Sequence, residues 1–192
     1  MSDVRRPRPV ATGEDKTTVM VDKYRLLKPI GEGGMGTVWL AESVDPKVTK
    51  RVALKRMRSQ FLDDPSVYKR FIAEARIAAR MQQSNIVHLI AYGETETDAG
   101  REPFFAMEYI EGTNVWKVFK HCAKSGQRLP PAAAMYIVNQ AALGLHHAHS
   151  LRDEVGRPLG IVHRDVSMSN LLISTDGLVK VADFGVAWAV DN

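Results

Sequence analysis

Three oxygen-bearing side chains carry the clearest chemical signal in this sequence. Asp165 and Asn170 lie in the stretch His163-Arg164-Asp165-Val166-Ser167-Met168-Ser169-Asn170, and Asp183 opens Asp183-Phe184-Gly185. Between them, Leu171 to Ser174 and Leu178 to Ala182 read as two apolar strands joined by the turn Thr175-Asp176-Gly177. A tight hairpin holds its two ends together, so Asp165, Asn170 and Asp183 are expected to converge. One carboxylate can then orient a hydroxyl, while an amide and a second carboxylate can hold hard cations through oxygen. A single loop Asp is usually a turn or capping residue. Three such residues placed by one hairpin argue for a site. His163 reads as a packed, hydrogen-bonded core histidine rather than a base, because Asp165 is better placed for that role.

Upstream, Tyr24 to Ile30 leads into Gly31-Glu32-Gly33-Gly34-Met35-Gly36, and Thr37 to Ala41 resumes as a strand. Glycines at 31, 33 and 36 remove side chains where backbone N–H groups must approach phosphates. Dinucleotide and Walker-type loops open a helix, whereas here a strand follows. Val38 would lay an apolar branch over a flat base. Alone, such a hairpin is weak evidence, and a flexible turn is the commoner explanation. The strand Arg51 to Met57 puts Val52 and Leu54 on one face, Ala53 and Lys55 on the other. A mid-strand lysine is usually an edge or solvent-facing residue; a functional role needs a phosphate in front of it and a carboxylate behind. Glu74 can supply the carboxylate, or be an exposed acid among Arg70, Arg76 and Arg80. Met107-Glu108-Tyr109-Ile110 follows an apolar strand, and its backbone can present a carbonyl and an N–H to an adenine edge. Otherwise it is an ordinary strand end.

These residues need a scaffold. Residues 1 to about 22 mix Pro, Arg, Thr and acids without apolar periodicity, and are expected to form a disordered tail. Asp63-Asp64-Pro65 caps a helix running to about Gln83, whose buried stripe is Phe71, Ala75, Ala78 and Met81, with Glu74 beside it. Strands are expected over Ile86 to Glu94 and Glu102 to Tyr109. The first half is then five strands and one helix. After Gly112 the pattern turns helical, with a short helix over Val115 to Lys124 and a long one from Pro131 in which Met135, Val138, Ala142 and Leu145 fit a period of 3.6. His146, His147 and His149 read as surface and capping residues, and His121-Cys122 as an isolated structural pair.

Composition narrows the class. The 192 residues are 45% hydrophobic and 25% charged, as in a soluble globular protein. No apolar run reaches the length of a membrane span. Cys122 is the only cysteine, which excludes an intrachain disulfide and suggests a reducing, cytoplasmic setting. The net charge of +4 suits a basic phosphate-binding cleft. Nucleic-acid binding is disfavoured, because no basic stripe interleaved with aromatics stands out.

Taken together and in order, these motifs resemble the protein kinase family over about residues 24 to 189. Gly31-Glu32-Gly33-Gly34-Met35-Gly36-Thr37-Val38, preceded by Ile30, resembles the glycine-rich loop. Val52-Ala53-Leu54-Lys55 resembles the lysine strand, and Glu74 its helix partner. His163-Arg164-Asp165 with Asn170 resembles the catalytic loop, and Asp183-Phe184-Gly185 the metal motif. Gly-Glu-Gly-Gly-Met-Gly is also typical of bacterial Ser/Thr kinases. The resemblance implies an α+β fold: a five-stranded antiparallel first lobe with one helix (23–108), then a hinge and a partial, mainly helical second lobe (109–192). It implies ATP and Mg²⁺, with a protein as the acceptor. Lys55 would hold the α- and β-phosphates braced by Glu74, Asn170 and Asp183 would bind Mg²⁺, and Asp165 would orient the substrate hydroxyl. Met107 would stand behind the adenine, Glu108 and Ile110 would offer backbone contacts, and Val38, Ala53 and Leu172 would sandwich the base.

Two departures qualify the resemblance. Where Ser/Thr kinases usually carry a Lys and then a Pro after the catalytic Asp, this chain has Ser167 and Met168. A serine supplies no positive charge, so a non-catalytic ATP-binding module is the alternative reading. The chain also reaches only Asn192, so the activation segment, the Ala-Pro-Glu motif and the later helices are expected to be missing and apolar surface exposed.

Overall fold

The computed structural model describes residues 19–44, 49–98 and 100–184. Six strands form one antiparallel sheet: β1 (Met20–Val21), β2 (Tyr24–Glu32), β3 (Gly36–Ser43), β4 (Arg51–Met57), β5 (Leu89–Thr97) and β6 (Gly100–Glu108), in spatial order β1-β2-β3-β4-β6-β5. Helix α1 (Pro65–Arg80) packs on one face of this sheet. Its start follows from sequence: the Asp64 carboxylate accepts the backbone N–H groups of Ser66 and Val67, and Pro65 occupies the first helical turn. Register shifts between Leu26 and Lys28 and between Pro29 and Gly31 disturb β2 as it approaches the glycine turn.

The five expected strands are all present, with a sixth that the composition concealed. Residues 1–18 of the expected tail lie outside the described residues, but Val19 to Asp22 do not behave as a tail. Met20 and Val21 pair with Arg25 and Tyr24, across a turn in which Asp22 takes φ +50°. Val21 is fully buried against Tyr24, Leu26, Ala41 and Phe104. One apolar side chain with a core to enter is enough to order this short edge. The strand expected from Ile86 begins instead at Leu89, because Ile86 makes an isolated parallel bridge to Val181.

The second half contains α2 (Val115–Lys124), α3 (Pro131–Ser150) and a three-stranded sheet of β7 (Gly112–Asn114), β8 (Leu171–Ser174) and β9 (Val179–Val181). Asn114 caps α2 by accepting the Lys117 N–H at 2.9 Å. In α3 the helical period is as expected but its phase is not. Ile137, Ala141, Gly144 and Ala148 face the core, while Met135, Val138 and Ala142 are exposed. The helix is apolar nearly all round, so periodicity alone cannot choose its inner face.

A buried amide stitches the halves together. Asn85 donates to Gln140 Oε1 of α3 and to the Val179 carbonyl of β9, each at 2.9 Å. Its own carbonyl accepts from Val181 N–H at 2.8 Å. Gly144 permits the approach of α3, since a Cβ there would lie 2.7 Å from the Asn85 carbonyl oxygen. Helix propensity alone would make Gly144→Ala stabilising by about 1 kcal/mol. The collision with backbone is expected to reverse that sign and destabilise by about 1–3 kcal/mol in urea unfolding. A stabilised variant would show that α3 and the Asn85 segment do not meet in this way.

Candidate active site

Two of the candidate side chains are buried ionisable groups. Lys55 on β4 and Glu74 on α1 are only 6% and 4% exposed. Their positions follow from local geometry. Strand alternation turns Lys55 away from Val52 and Leu54, and helical phase turns Glu74 inward beside Phe71 and Ala75. Lys55 Nζ donates to Glu74 Oε1 at 2.7 Å and to Asp183 Oδ1 at 2.9 Å. The Phe105 ring, 5.5 Å away, completes the surroundings of the ammonium.

The electrostatics follow from that burial. Desolvation works to lower the Lys55 pKa, but Glu74 and then Asp183 overcome it and hold the ammonium above its ordinary range. Burial pushes the Glu74 carboxyl up to about 7; Lys55 draws it down less strongly, and the Asp183 charge adds to the rise. Glu74 Oε2 is buried with no hydrogen-bond partner among the described residues, which fits this balance. Asp183 is also partly desolvated, but the Lys55 charge outweighs that and keeps its carboxyl below the ordinary value.

Asp165, Asn170 and Asp183 converge through backbone as much as through side chains. Asn170 Nδ2 donates to the Asp165 carbonyl at 2.9 Å and to Asp165 Oδ2 at 3.0 Å. The Asn170 carbonyl accepts from Ala182 N–H at 2.8 Å, immediately before Asp183. His163 is 1% exposed and sits beneath this junction. Its Nε2 lies 3.1 Å from the Ala182 carbonyl, and its Nδ1 accepts from Asp165 N–H at 3.3 Å. A neutral ring with the proton on Nε2 satisfies both contacts. The ring also packs on Phe184, centroids 4.5 Å apart. Arg164 and Asp183 have φ of +63° and +62°, left-handed conformations that non-glycine residues rarely adopt. The bonds to His163 and Asn170 hold this strained backbone at both ends of the hairpin.

A cleft of about 620 Å³ lies between the six-stranded sheet and the hairpin of β8 and β9. Ile30, Gly31, Glu32, Gly33, Val38, Ala53, Lys55, Met107, Glu108, Ile110, Leu172, Asn170 and Asp183 line it, together with Glu74. Gly34, Met35, Gly36 and Thr37 are not among its walls, and Asp165 joins it only through Asn170. Gly36 has a different reason to be glycine: a Cβ would strike the Arg56 carbonyl on the neighbouring strand. Gly185 lies outside the described residues.

Val87, Lys117 and Lys180 are among the contributors that sequence reasoning overlooked. Val87 and Lys117 line the cleft. Lys180 Nζ pairs with Glu108 Oε1 at 2.7 Å, while His88 and Glu108 exchange bonds of 2.8 and 2.9 Å. The N–H of Glu108 is thereby committed. A lysine between two buried valines, Val179 and Val181, was the available clue to Lys180.

Comparison with known proteins identifies the family. The family model described as "Protein kinase domain" matches residues 24–192. Serine/threonine-protein kinase PknA of Mycobacterium tuberculosis is 37% identical over 176 residues, covering 88% of this chain and 36% of that protein. PknB of Mycobacterium leprae is 37% identical over 169 residues, covering 88% of this chain and 25% of its own length. Tyrosine-protein kinase MasK of Myxococcus xanthus is 35% identical over 167 residues, 86% of this chain and 25% of that protein. A crystal structure of the Mycobacterium tuberculosis PknI kinase domain superimposes with a TM-score of 0.66 at 28% identity, covering 90% of this chain and 63% of that one. The chain belongs to the protein kinase family and has its two-part α+β fold. It spans roughly a third or less of the curated relatives described here.

The raised Glu74 pKa fixes the sign of a pH effect. Between about pH 4.5 and 7 the folded chain keeps a proton that the unfolded chain has released, so this contribution to stability declines as pH rises. Asp183 works in the opposite sense, its contribution being lost only as pH falls below the ordinary Asp range. Glu74→Gln is therefore expected to flatten the fall in melting temperature across that window. An unchanged slope would rule out Glu74 as its source.

Proposed function

We propose that this chain is the nucleotide-binding and catalytic-loop part of an ATP-dependent Ser/Thr protein kinase, with residues 23–108 as its first lobe and 109–192 as hinge and part of its second. The observation that carries the proposal is Lys55, buried at the back of the cleft between Glu74 and Asp183 at 2.7 and 2.9 Å. A cation fixed in that way suits the phosphates of a nucleotide whose base lies between Val38, Ala53 and Leu172, with Met107 behind it. The carbonyl of Glu108 and the backbone of Ile110 meet its edge. Glycines 31 and 33 keep the roof of the cleft free of side chains.

The donor set fits a magnesium ion. The Asp183 side chain is 47% exposed towards the cleft. The amide nitrogen of Asn170 is committed to Asp165, which leaves its oxygen as the ligand. When bound, Mg²⁺ neutralises phosphate charge. Asp165, held by Asn170 and by the backbone contact to His163, orients the acceptor hydroxyl and takes its proton. The acceptor is a protein Ser or Thr. Similarity to the Ser/Thr kinases PknA and PknB supports that choice, while MasK bears the name of a tyrosine kinase, so acceptor identity is part of the test. A cytoplasmic setting for this portion rests on the lone Cys122. No helix among the described residues is long and apolar enough to cross a membrane.

Ser167 favours a second reading, a nucleotide-binding module without transfer. Its hydroxyl lies 2.8 Å from that of Ser169, so neither position supplies a cation beside Asp165. The two readings separate in one assay, with radiolabelled ATP, Mg²⁺ and a generic acceptor protein, using this chain and a fusion to the remainder of the PknA kinase domain. The kinase reading expects transfer to Ser or Thr, a loss of about 100-fold or more in Asp165→Asn, and a gain of about tenfold in Ser167→Lys. A melting temperature raised by Mg-ATP without transfer in either protein would establish the module instead. No shift and no transfer would overturn both.

A further inference from the structure

The short helix α2 carries a surface that the nucleotide site does not use. From Gly112 to Arg152 the sequence contains Lys117, Lys120, Lys124, Arg128 and Arg152 but no Asp or Glu. Helical spacing gathers part of this charge. Lys117, Lys120 and Lys124 fall at i, i+3 and i+7 on one face of α2, with the polar His121 at i+4 beside them, and all four are exposed. Trp116 and Phe119, 42% and 46% exposed, stack beside them with ring centroids 6.1 Å apart. Lys120 Nζ sits 5.6 Å from the Trp116 ring, which ties the basic and aromatic rows together. Along the sequence no such stripe stands out, because its members are interleaved with apolar residues until the helix sorts them.

This surface starts at the reaction centre. The Trp116 N–H donates to the Met168 carbonyl at 3.0 Å, pinning the first turn of α2 to the loop that carries Asp165. Lys117 lines the cleft together with Ser169 and Asn170, and the other cations lead outward along the helix. Ser167 and Ser169 add hydroxyls but no charge. From Lys117 to Lys124 the helix rises about 10 Å, the length of about three residues of extended chain.

We infer that α2 is the substrate-reading surface of this domain and selects acidic protein segments, with Lys117, Lys120 and Lys124 facing Asp or Glu residues about two to five positions from the acceptor hydroxyl. Trp116 and Phe119 take an apolar or aromatic side chain of the same segment. Charge complementarity carries the assignment, and continuity with the Asp165 loop favours an acceptor peptide over single-stranded nucleic acid, the other ligand that a basic and aromatic surface suits. The inference rests on the kinase reading for its acceptor hydroxyl, but its binding test does not.

The test uses fluorescein-labelled peptides of equal length, each with one Thr flanked by three Glu, three Ser or three Lys, and a labelled oligothymidylate. Anisotropy titrations with the 192-residue chain are expected to show the Glu peptide binding about tenfold tighter than the Lys peptide, an advantage that salt erodes. The pair Lys120→Glu and Lys124→Glu should abolish or invert the preference. Lys120→Arg with Lys124→Arg should retain it, with far-ultraviolet circular dichroism reporting the fold of both. Equal binding of the three peptides, or a preference indifferent to charge reversal, overturns the inference. So does oligothymidylate binding more tightly than the Glu peptide and displacing it. The Mg-ATP melting shift separates the two readings: a shift without peptide preference removes the α2 surface alone, whereas a preference without a shift removes the nucleotide reading and leaves the surface standing.

Discussion

Burying a lysine ammonium is costly, since an ion removed from water loses several kcal/mol even after the protein relaxes around it. Lys55 can occupy the back of the cleft only because two carboxylates come to it from different parts of the chain. Glu74 arrives from α1, and Asp183 from the far end of the hairpin, 128 residues away in sequence. Lys55 and Glu74, both buried, would each be unfavourable there without the other. The contact between α1 and the sheet and the contact between the two halves are therefore linked by one charge. The surrounding apolar side chains, Phe71, Ala75 and Phe105, sharpen the constraint by excluding water that could otherwise relieve it.

The hairpin of β8 and β9 has its own set of constraints. Val181 bonds on one side to Asn85 and Val87 in the segment after α1, and Ala182 bonds to Asn170 and His163 on the other. Asp183 is thus the next residue after a segment whose backbone is fully engaged. That explains how a non-glycine residue is kept at φ +62°. Rigidity is needed here because the Lys55 contact depends on Asp183 from that distant strand end. On the opposite side of the cleft, Lys180 fixes Glu108, so the same short strand positions both an acid of the site and the edge facing it.

The legible part of this architecture was the part encoded by local periodicity. Strand alternation oriented Lys55, helical phase oriented Glu74, and hairpin closure brought Asp165, Asn170 and Asp183 together. Each needs only a few adjacent residues to be read. What stayed hidden depended on tertiary neighbours. Nothing local distinguishes Gly36, which yields to the Arg56 backbone, from Gly31 and Gly33, which line the cleft. Val21 belongs to a segment of tail-like composition until Tyr24 and Phe104 offer it a core. The inner face of α3 was ambiguous because Met135 and Val138 are as apolar as Ile137 and Ala141.

The two bonds of Lys55 are not equivalent, and the difference bears on how the cleft would receive a ligand. The partner Glu74 is shielded by α1 and the sheet, with its side chain 4% exposed, so breaking that pair would strand two charges in an apolar setting. Asp183 has a side chain 47% exposed and can regain solvent or a metal ion when it leaves Lys55. A phosphate entering the cleft would therefore replace Asp183 at the ammonium and leave Glu74 in place. The exchange conserves charge at Lys55, because one anion substitutes for another. The 2.9 Å contact between Lys55 and Asp183 is thus the exchangeable one of the two, and the 2.7 Å contact with Glu74 the fixed one.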